Sequence, residues 1–426
     1  MSLKNINKLL LFITLLLLSC KPIEVLKDKK NTYFEYGEVK EFENEEKKED
    51  LIFIDLNRTS SLNLNFIDYY SVSNPLNYLS KTKINKLNTL NFNKNNKLEL
   101  KSLITIIKNE KIYFLDYKSN FNIYDLENFQ SLKSIKIKSE LISEYNYPTS
   151  LALFNDLFYV AYSDGKIICF NLNGDIIWEN QIDDIIKTPI KIHNDNIIVL
   201  LSDKIISLNP KSGELNWMHN YYSENILQST GGDIVNLNHL LFFILPNNRV
   251  GEIDTLFGEK NDSIFSNLDL YDSMNNSLDK IHVFKNYISY FDQNEYLTTI
   301  NFNKNKIILN KNKIENVQSY KFFNNSLITL NDENLLKSFN IFNGNLFWKI
   351  DIKSIFQKDN TIINIASSPI SFFIFFKDGN ILELDHKTGK ILSTQKLKLK
   401  NINSVYFINK YILLNQQNGK VSLFIQ

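Results

Sequence analysis

Residue types able to do chemistry are few here and far apart. There are two thiols, Cys20 and Cys169, and five imidazoles, at His193, His219, His239, His282 and His386. Two cysteines exclude a disulfide-dense scaffold, a four-cysteine metal site and an iron–sulfur ligand set. No histidine pair has the HExxH spacing of a zinc protease, and no GxSxG elbow presents a nucleophilic serine. "STGGDIV" from Ser229 has paired glycines but lacks the lysine and spacing of a phosphate loop. Asp183-Asp184 and the acidic loop "GEKNDS" could hold calcium only with ligands from elsewhere, since the EF-hand spacing is absent. Cys169, inside the apolar run "KIICF", reads as a small buried hydrophobe. The expectation is a chain with no catalytic, cofactor or metal-binding residues.

The totals point the same way. Of 426 residues, 43% are apolar and 22% charged, a soluble-globular balance. Lys and Arg number 48 against 47 Asp and Glu, and the charges are interspersed. With no basic stripe and no recognisable motif, nucleic acid is not an expected partner. The skew towards Asn, Lys, Ile, Phe and Tyr runs along the whole chain and reads as codon usage, which makes Asn-rich loops a poor guide to function.

Cys20 is set apart by what precedes it. "MSLKNINKLLLFITLLLLSC" has basic Lys4 and Lys8, an apolar run from Leu9 to Leu18, then Ser19-Cys20. That run is shorter than the roughly 20 residues of a membrane span and suits the apolar region of an export signal. Leu17-Leu18-Ser19-Cys20 resembles the bacterial lipobox. The resemblance implies cleavage of residues 1–19 and acylation of Cys20, holding the protein to membrane lipid; the rival is an ordinary signal peptide with a chance cysteine. Lys21 stands where Asp would resemble an inner-membrane retention signal, which favours the outer membrane. Residues 20–56 carry "EFENEEKKED" and read as a charged tether, with "LIFIDL" a candidate edge strand at its end. Residues 57–102 form a pre-propeller segment and a candidate source of a closing strand.

From residue 103 to 426 the chain repeats itself. "DGKIICFNLNGDIIW", "SDKIISLNPKSGELNW", "NDENLLKSFNIFNGNLFW" and "KDGNILELDHKTGKIL" share a turn, a strand, a polar marker, a second turn and another strand. The markers are Asp125, Asn171, Asn209, Asp254, Asn301, Asn340 and Asp385, with Ile425 at the equivalent point of a last partial copy. They recur at about 43 residues, the length of a four-stranded antiparallel sheet, and no helical period competes. Gly174, Gly213, Gly344 and Gly389 follow the markers, and Gly165, Gly379 and Gly419 stand in the preceding turns, where tight hairpins favour φ > 0. Trp178, Trp217 and Trp348 recur just past the second turn, placed to wedge between adjacent sheets. The expected fold is all-β, an eight-bladed β-propeller of four-stranded blades whose last blade borrows a strand from the N-terminal part. Seven blades follow if the Gly-less Asn301 copy or the terminal one is misread, and a β-sandwich pair is the main rival.

The unit resembles the quinoprotein-type propeller repeat, and Pro148, Pro189 and Pro369 stand at the approach to blades as in that family. One branch holds pyrroloquinoline quinone; its vicinal cysteine pair is impossible with Cys169 alone in the repeat region. The other branch comprises outer-membrane lipoproteins of the β-barrel assembly machinery, similar in lipobox, chain length and blade number. That resemblance implies a non-catalytic scaffold on the periplasmic side of the outer membrane, binding the barrel-inserting subunit. The alternative is an envelope propeller for another ligand such as a polysaccharide, for which Tyr221-Tyr222 and Phe257 are candidate exposed aromatics.

Overall fold

Each repeat closes into one four-stranded antiparallel sheet, in sequence order from inside to outside. In the computed structural model, residues 84–91 and 104–425 are described, apart from 109, 117, 140–145, 187, 222–231, 238, 246–249, 261–277, 293, 305, 354–360, 368–370, 386–387 and 409–410. Seven sheets are contiguous: blade 1 spans 104–136, blade 2 148–181, blade 3 191–220, blade 4 233–260, blade 5 278–313, blade 6 319–351 and blade 7 362–396. Blade 8 takes its inner three strands from 402–425 and its outer strand from Asn85–Asn91. That strand pairs antiparallel with Lys420–Ile425, running from Asn85↔Ile425 to Asn91↔Lys420. The chain is an eight-bladed β-propeller. The closing strand comes from "NKLNTLN"; "LIFIDL" and Cys20 lie outside the described residues.

The blades are held by burial on both sheet faces. Eight hydrophobic clusters occupy the eight seams, each drawn from two neighbouring blades. The second and third strands therefore lose the alternation of a half-exposed strand. Ser371–Phe376, "SFFIFF", is buried at every position, and each buried phenylalanine contributes roughly 2–3 kcal/mol of transfer free energy. Outer strands alternate instead, as in Ile391–Lys396, with one face towards solvent.

Seven outer strands carry a bulge at the same register, opposite the residue two before the marker. In blade 2 Phe170 pairs with Ile176 and Cys169 with Trp178, leaving Ile177 as the extra residue. The equivalent extra residues Leu132, Ile308, Leu392 and Leu87 are likewise exposed. A bulge re-aims the next side chain and ends regular pairing, so these aliphatics are a product of the repeat.

Candidate interaction faces of the disk

The markers of seven blades are caps of turns. Asn171 Oδ1 accepts the N–H groups of Asn173 and Asp175, Asn209 Oδ1 that of Lys211, Asn340 Oδ1 that of Phe342 and Asp385 Oδ1 that of Thr388. Asp125 and Asp254 do the same for Glu127 and Leu256. Asn and Asp suit this position because a short side-chain carbonyl mimics the backbone acceptor of a turn. Asn301, in the copy without glycine, caps a 3-10 turn at Phe302–Lys304 by accepting from Lys304 N. Ile425 ends blade 8, whose outer strand arrives from elsewhere and needs no such turn.

In five blades the turn that follows the marker touches the preceding blade's outer strand. A Cβ on Gly213 would lie 2.6 Å from Trp178, one on Gly258 2.4 Å from Trp217, and one on Gly389 2.5 Å from Trp348. Trp178 Nε1 donates to Pro210 O at 2.9 Å, fixing the indole across the seam between blades 2 and 3. Trp348 is 1% exposed, whereas Trp178 and Trp217 are half-buried. Ile135 and Asn312 fill the same role over Gly174 and Gly344, so the tryptophan is one of several side chains the seam accepts. Gly258 escaped the sequence reading although it lies four residues after its marker, as Gly213, Gly344 and Gly389 do. Gly165 has φ +91°, and an added Cβ would meet Ile182 O at 2.1 Å; Gly379 is confined in the same way by Leu399 O. Gly419 also has positive φ, its N–H donating to Gln416 O.

The candidate chemical groups are spent on structure. Cys169 is buried and its thiol is pushed up to about 11 by burial, partly opposed by the neighbouring Tyr159 hydroxyl. The thiolate fraction at neutral pH is therefore negligible. Tyr159, raised by the same burial, donates to Pro210 O at 3.2 Å. His219 Nε2 lies 2.6 Å from Gly258 O, and His239 pairs with Asp254 at 3.6 Å. Asp184 accepts from Ser202 N and Oγ and faces Lys204 at 3.9 Å. Buried Glu383 is held by Ser371 Oγ at 2.9 Å and Ser393 Oγ at 2.6 Å. Among the described residues no three His, Cys, Asp or Glu side chains come together as a metal site. His386, Tyr222 and Pro369 lie outside the described residues; Tyr221 is half-buried, with its ring 5.3 Å from Phe243 and under Lys260 Nζ.

The inner strands, which carry the central opening, are stitched to each other by polar contacts. Ser150 Oγ accepts from Ile190 N, Asp233 Oδ2 from Ile281 N, Ser319 Oγ from Ile362 N, and Asn364 Nδ2 donates to Val405 O. Tyr162 OH donates to Ser119 Oγ at 3.0 Å between blades 1 and 2, and Asn415 Nδ2 to Thr105 Oγ1 between blades 8 and 1. These polar groups thus serve closure by bonding across a seam. What remains for partners is the two ends of the disk and its rim.

No protein-family model matches the chain, and no curated protein matches it in sequence. Solved structures do match in fold. BamB from Moraxella catarrhalis superposes with a TM-score of 0.60 at 14% identity, covering 81% of this chain and 100% of that one. The computationally designed Ika8 protein gives 0.57 at 12%, covering 76% and 96%. Sqt1 of Saccharomyces cerevisiae gives 0.59 at 10%, covering 82% and 100%. A bacterial, a designed and a yeast protein share this architecture, so the likeness is one of fold.

Proposed function

We propose that this protein is a lipid-anchored, non-catalytic scaffold that serves the assembly of outer-membrane β-barrel proteins by docking periplasmic domains of the barrel-inserting subunit. The supporting observation is a conjunction: a lipobox-like leader ending at Cys20, followed by a closed propeller built like BamB over the whole of that chain. The described interior adds weight: Cys169 is buried with a raised pKa, His219 meets Gly258 O across a seam, and Glu383 is held by Ser371 and Ser393. Cys20 is the acylation site in this reading, and attachment is to the periplasmic side of the outer membrane.

Crosslinking in intact envelopes followed by affinity capture and mass spectrometry tests the partner. Recovery of the barrel-inserting protein is expected; its consistent absence, under conditions that keep that assembly intact, would overturn the reading. Cys20→Ala is expected to release the protein from the membrane fraction; a Cys20→Ala form that stays bound and uncut would overturn the acylation reading. The rival, a polysaccharide-binding propeller, needs a platform of exposed aromatics. Tyr221 packs on Phe243, while Phe257 is exposed, so Phe257→Ala with a glycan-binding readout separates the two.

A further inference from the structure

Blade 7 runs out into a row of lysines whose ammonium groups take part in no ion pair or hydrogen bond among the described residues. Lys396, Lys398 and Lys400 are exposed and alternate with buried Leu397 and Leu399, so the chain between blades 7 and 8 carries all three on one side. The row is pinned from behind. Leu397 N donates to Gly379 O at 2.8 Å, and Gln416 Nε2 donates to Lys400 O at 2.7 Å. The carboxylate of Asp378, next to Gly379, is turned to another task and accepts from Asn380 N at 3.0 Å and from Asn380 Nδ2.

We propose that this row is the docking site of the chain's own acidic segment, Glu41 to Glu45, which lies outside the described residues. Charge and spacing select that occupant. Glu41, Glu43 and Glu45 stand at alternate positions of "EFENE", and an E-x-E-x-E pattern occurs once in the sequence, as K-x-K-x-K does at Lys396, Lys398 and Lys400. In an extended chain residues two apart lie on one side about 7 Å from each other, so three carboxylates meet three ammonium groups in register. The entry of the chain favours the same occupant. Ile84 N donates to Gln395 Oε1 at 3.2 Å and Gln395 Nε2 to Ile84 O at 2.7 Å, so the N-terminal part joins the disk beside Lys396. Residues 46–83, at up to about 3.3 Å each, are long enough to bring Glu45 back to the row, and the linkage makes the encounter intramolecular. Exposed ion pairs are individually weak and screened by salt, so the contact is a reversible clasp. When it is closed, the disk is joined to Cys20 through residues 20–40 instead of 20–83. This inference depends neither on the assembly role nor on the acylation of Cys20.

The test is carbodiimide coupling of carboxylates to amines in the purified full-length protein, mixed from isotopically light and heavy chains and read by peptide mass spectrometry. Amides from Glu41, Glu43 or Glu45 to Lys396, Lys398 or Lys400 are expected about tenfold above those from the same glutamates to Lys304 and Lys306, exposed lysines of blade 5. They should join residues of one isotope only. Lys398→Glu should lower coupling at Lys396 and Lys400 about fivefold, and adding Glu43→Lys should restore it. In about 1 M salt, which screens charges beyond about 3 Å, coupling should fall to the Lys304 level. Equal coupling at the two sets of lysines, no loss with Lys398→Glu or salt, no recovery with Glu43→Lys, or amides between light and heavy chains (docking of a second copy) would each sink the proposal. So would coupling of these lysines, in intact envelopes, to a different protein alone.

Discussion

The seam between blades 2 and 3 and the seam between blades 4 and 5 are built from the same repeat but close differently. In the first, Trp178 lies over Gly213, its indole N–H holds Pro210 O, and Asn180 Nδ2 holds Gly213 O, so contact runs from the inner strands to the rim. In the second, the described part of the outer strand of blade 4 is Glu259–Lys260, and the facing turn of blade 5 is a 3-10 turn without glycine. Its described contacts lie among Phe242, Ile281, Val283 and Tyr290, with Phe302 at 5.8 Å from Phe242. One seam closes with an indole over a glycine turn, the other with phenylalanine packing on the inner strands.

That contrast predicts unequal costs. Trp348→Ala empties a fully buried position of a rim-to-centre seam and should cost about 3–5 kcal/mol in urea unfolding. Phe302→Ala, half-buried at the shallow seam, should cost less than half as much; equal losses would break the comparison. Acid should be the next largest perturbation. His282 belongs to blade 5, stacks on Phe322 of blade 6 at 4.9 Å and donates from Nε2 to Asn324 O at 2.7 Å, neutral because burial lowers its pKa to about 4. The ordinary value of 6.5 applies to the unfolded chain, which takes the proton first as pH falls. The stabilisation is complete above pH 6.5 and is lost as pH falls through about 4, with a slope of at most about 1.4 kcal/mol per pH unit. His282→Gln keeps a donor for Asn324 O and should remove that slope in pH-dependent melts.

Smaller effects sharpen the same contrast. Gly213→Ala forces a side chain into φ +76° and against Trp178, at about 1–3 kcal/mol, while Phe257→Ala on the exposed turn of blade 4 should stay within about 0.5 kcal/mol.

The repeat was legible because its signals are local. Asp-Gly and Asn-Gly turns, and glycines three or four residues after a marker, act within one hairpin, so a single chain displays such glycine turns in six of its eight copies. The Asn301 copy was weak for an equally local reason: Asn301 with a 3-10 turn does there what glycine does elsewhere. The abundance of Asn, taken as compositional bias, serves a purpose as well. Asn155-Asp156 and Asn194-Asp195 take left-handed conformations in the first hairpins of blades 2 and 3, and Asn171, Asn209, Asn331 and Asn340 cap turns. Of the two regions named for exposed aromatics, Phe257 is exposed and Tyr221 is packed, which no pattern of neighbours along the chain distinguishes.

By itself, then, the sequence determined the blade: its length, its turns and its buried strands, all set by residues a few positions apart. The tertiary structure alone decided the ring. "NKLNTLN" carries too little apolar signal to stand out as a strand, and it completes blade 8 only because Lys420–Ile425 presents an open ladder more than three hundred residues away. Trp178 and Gly213 stand out separately in the repeat, but that one packs on the other is set only when two blades come together. Pairing and packing across such separations depend on which edges and surfaces remain uncovered after the local hairpins have formed, and that is a property of the assembled disk.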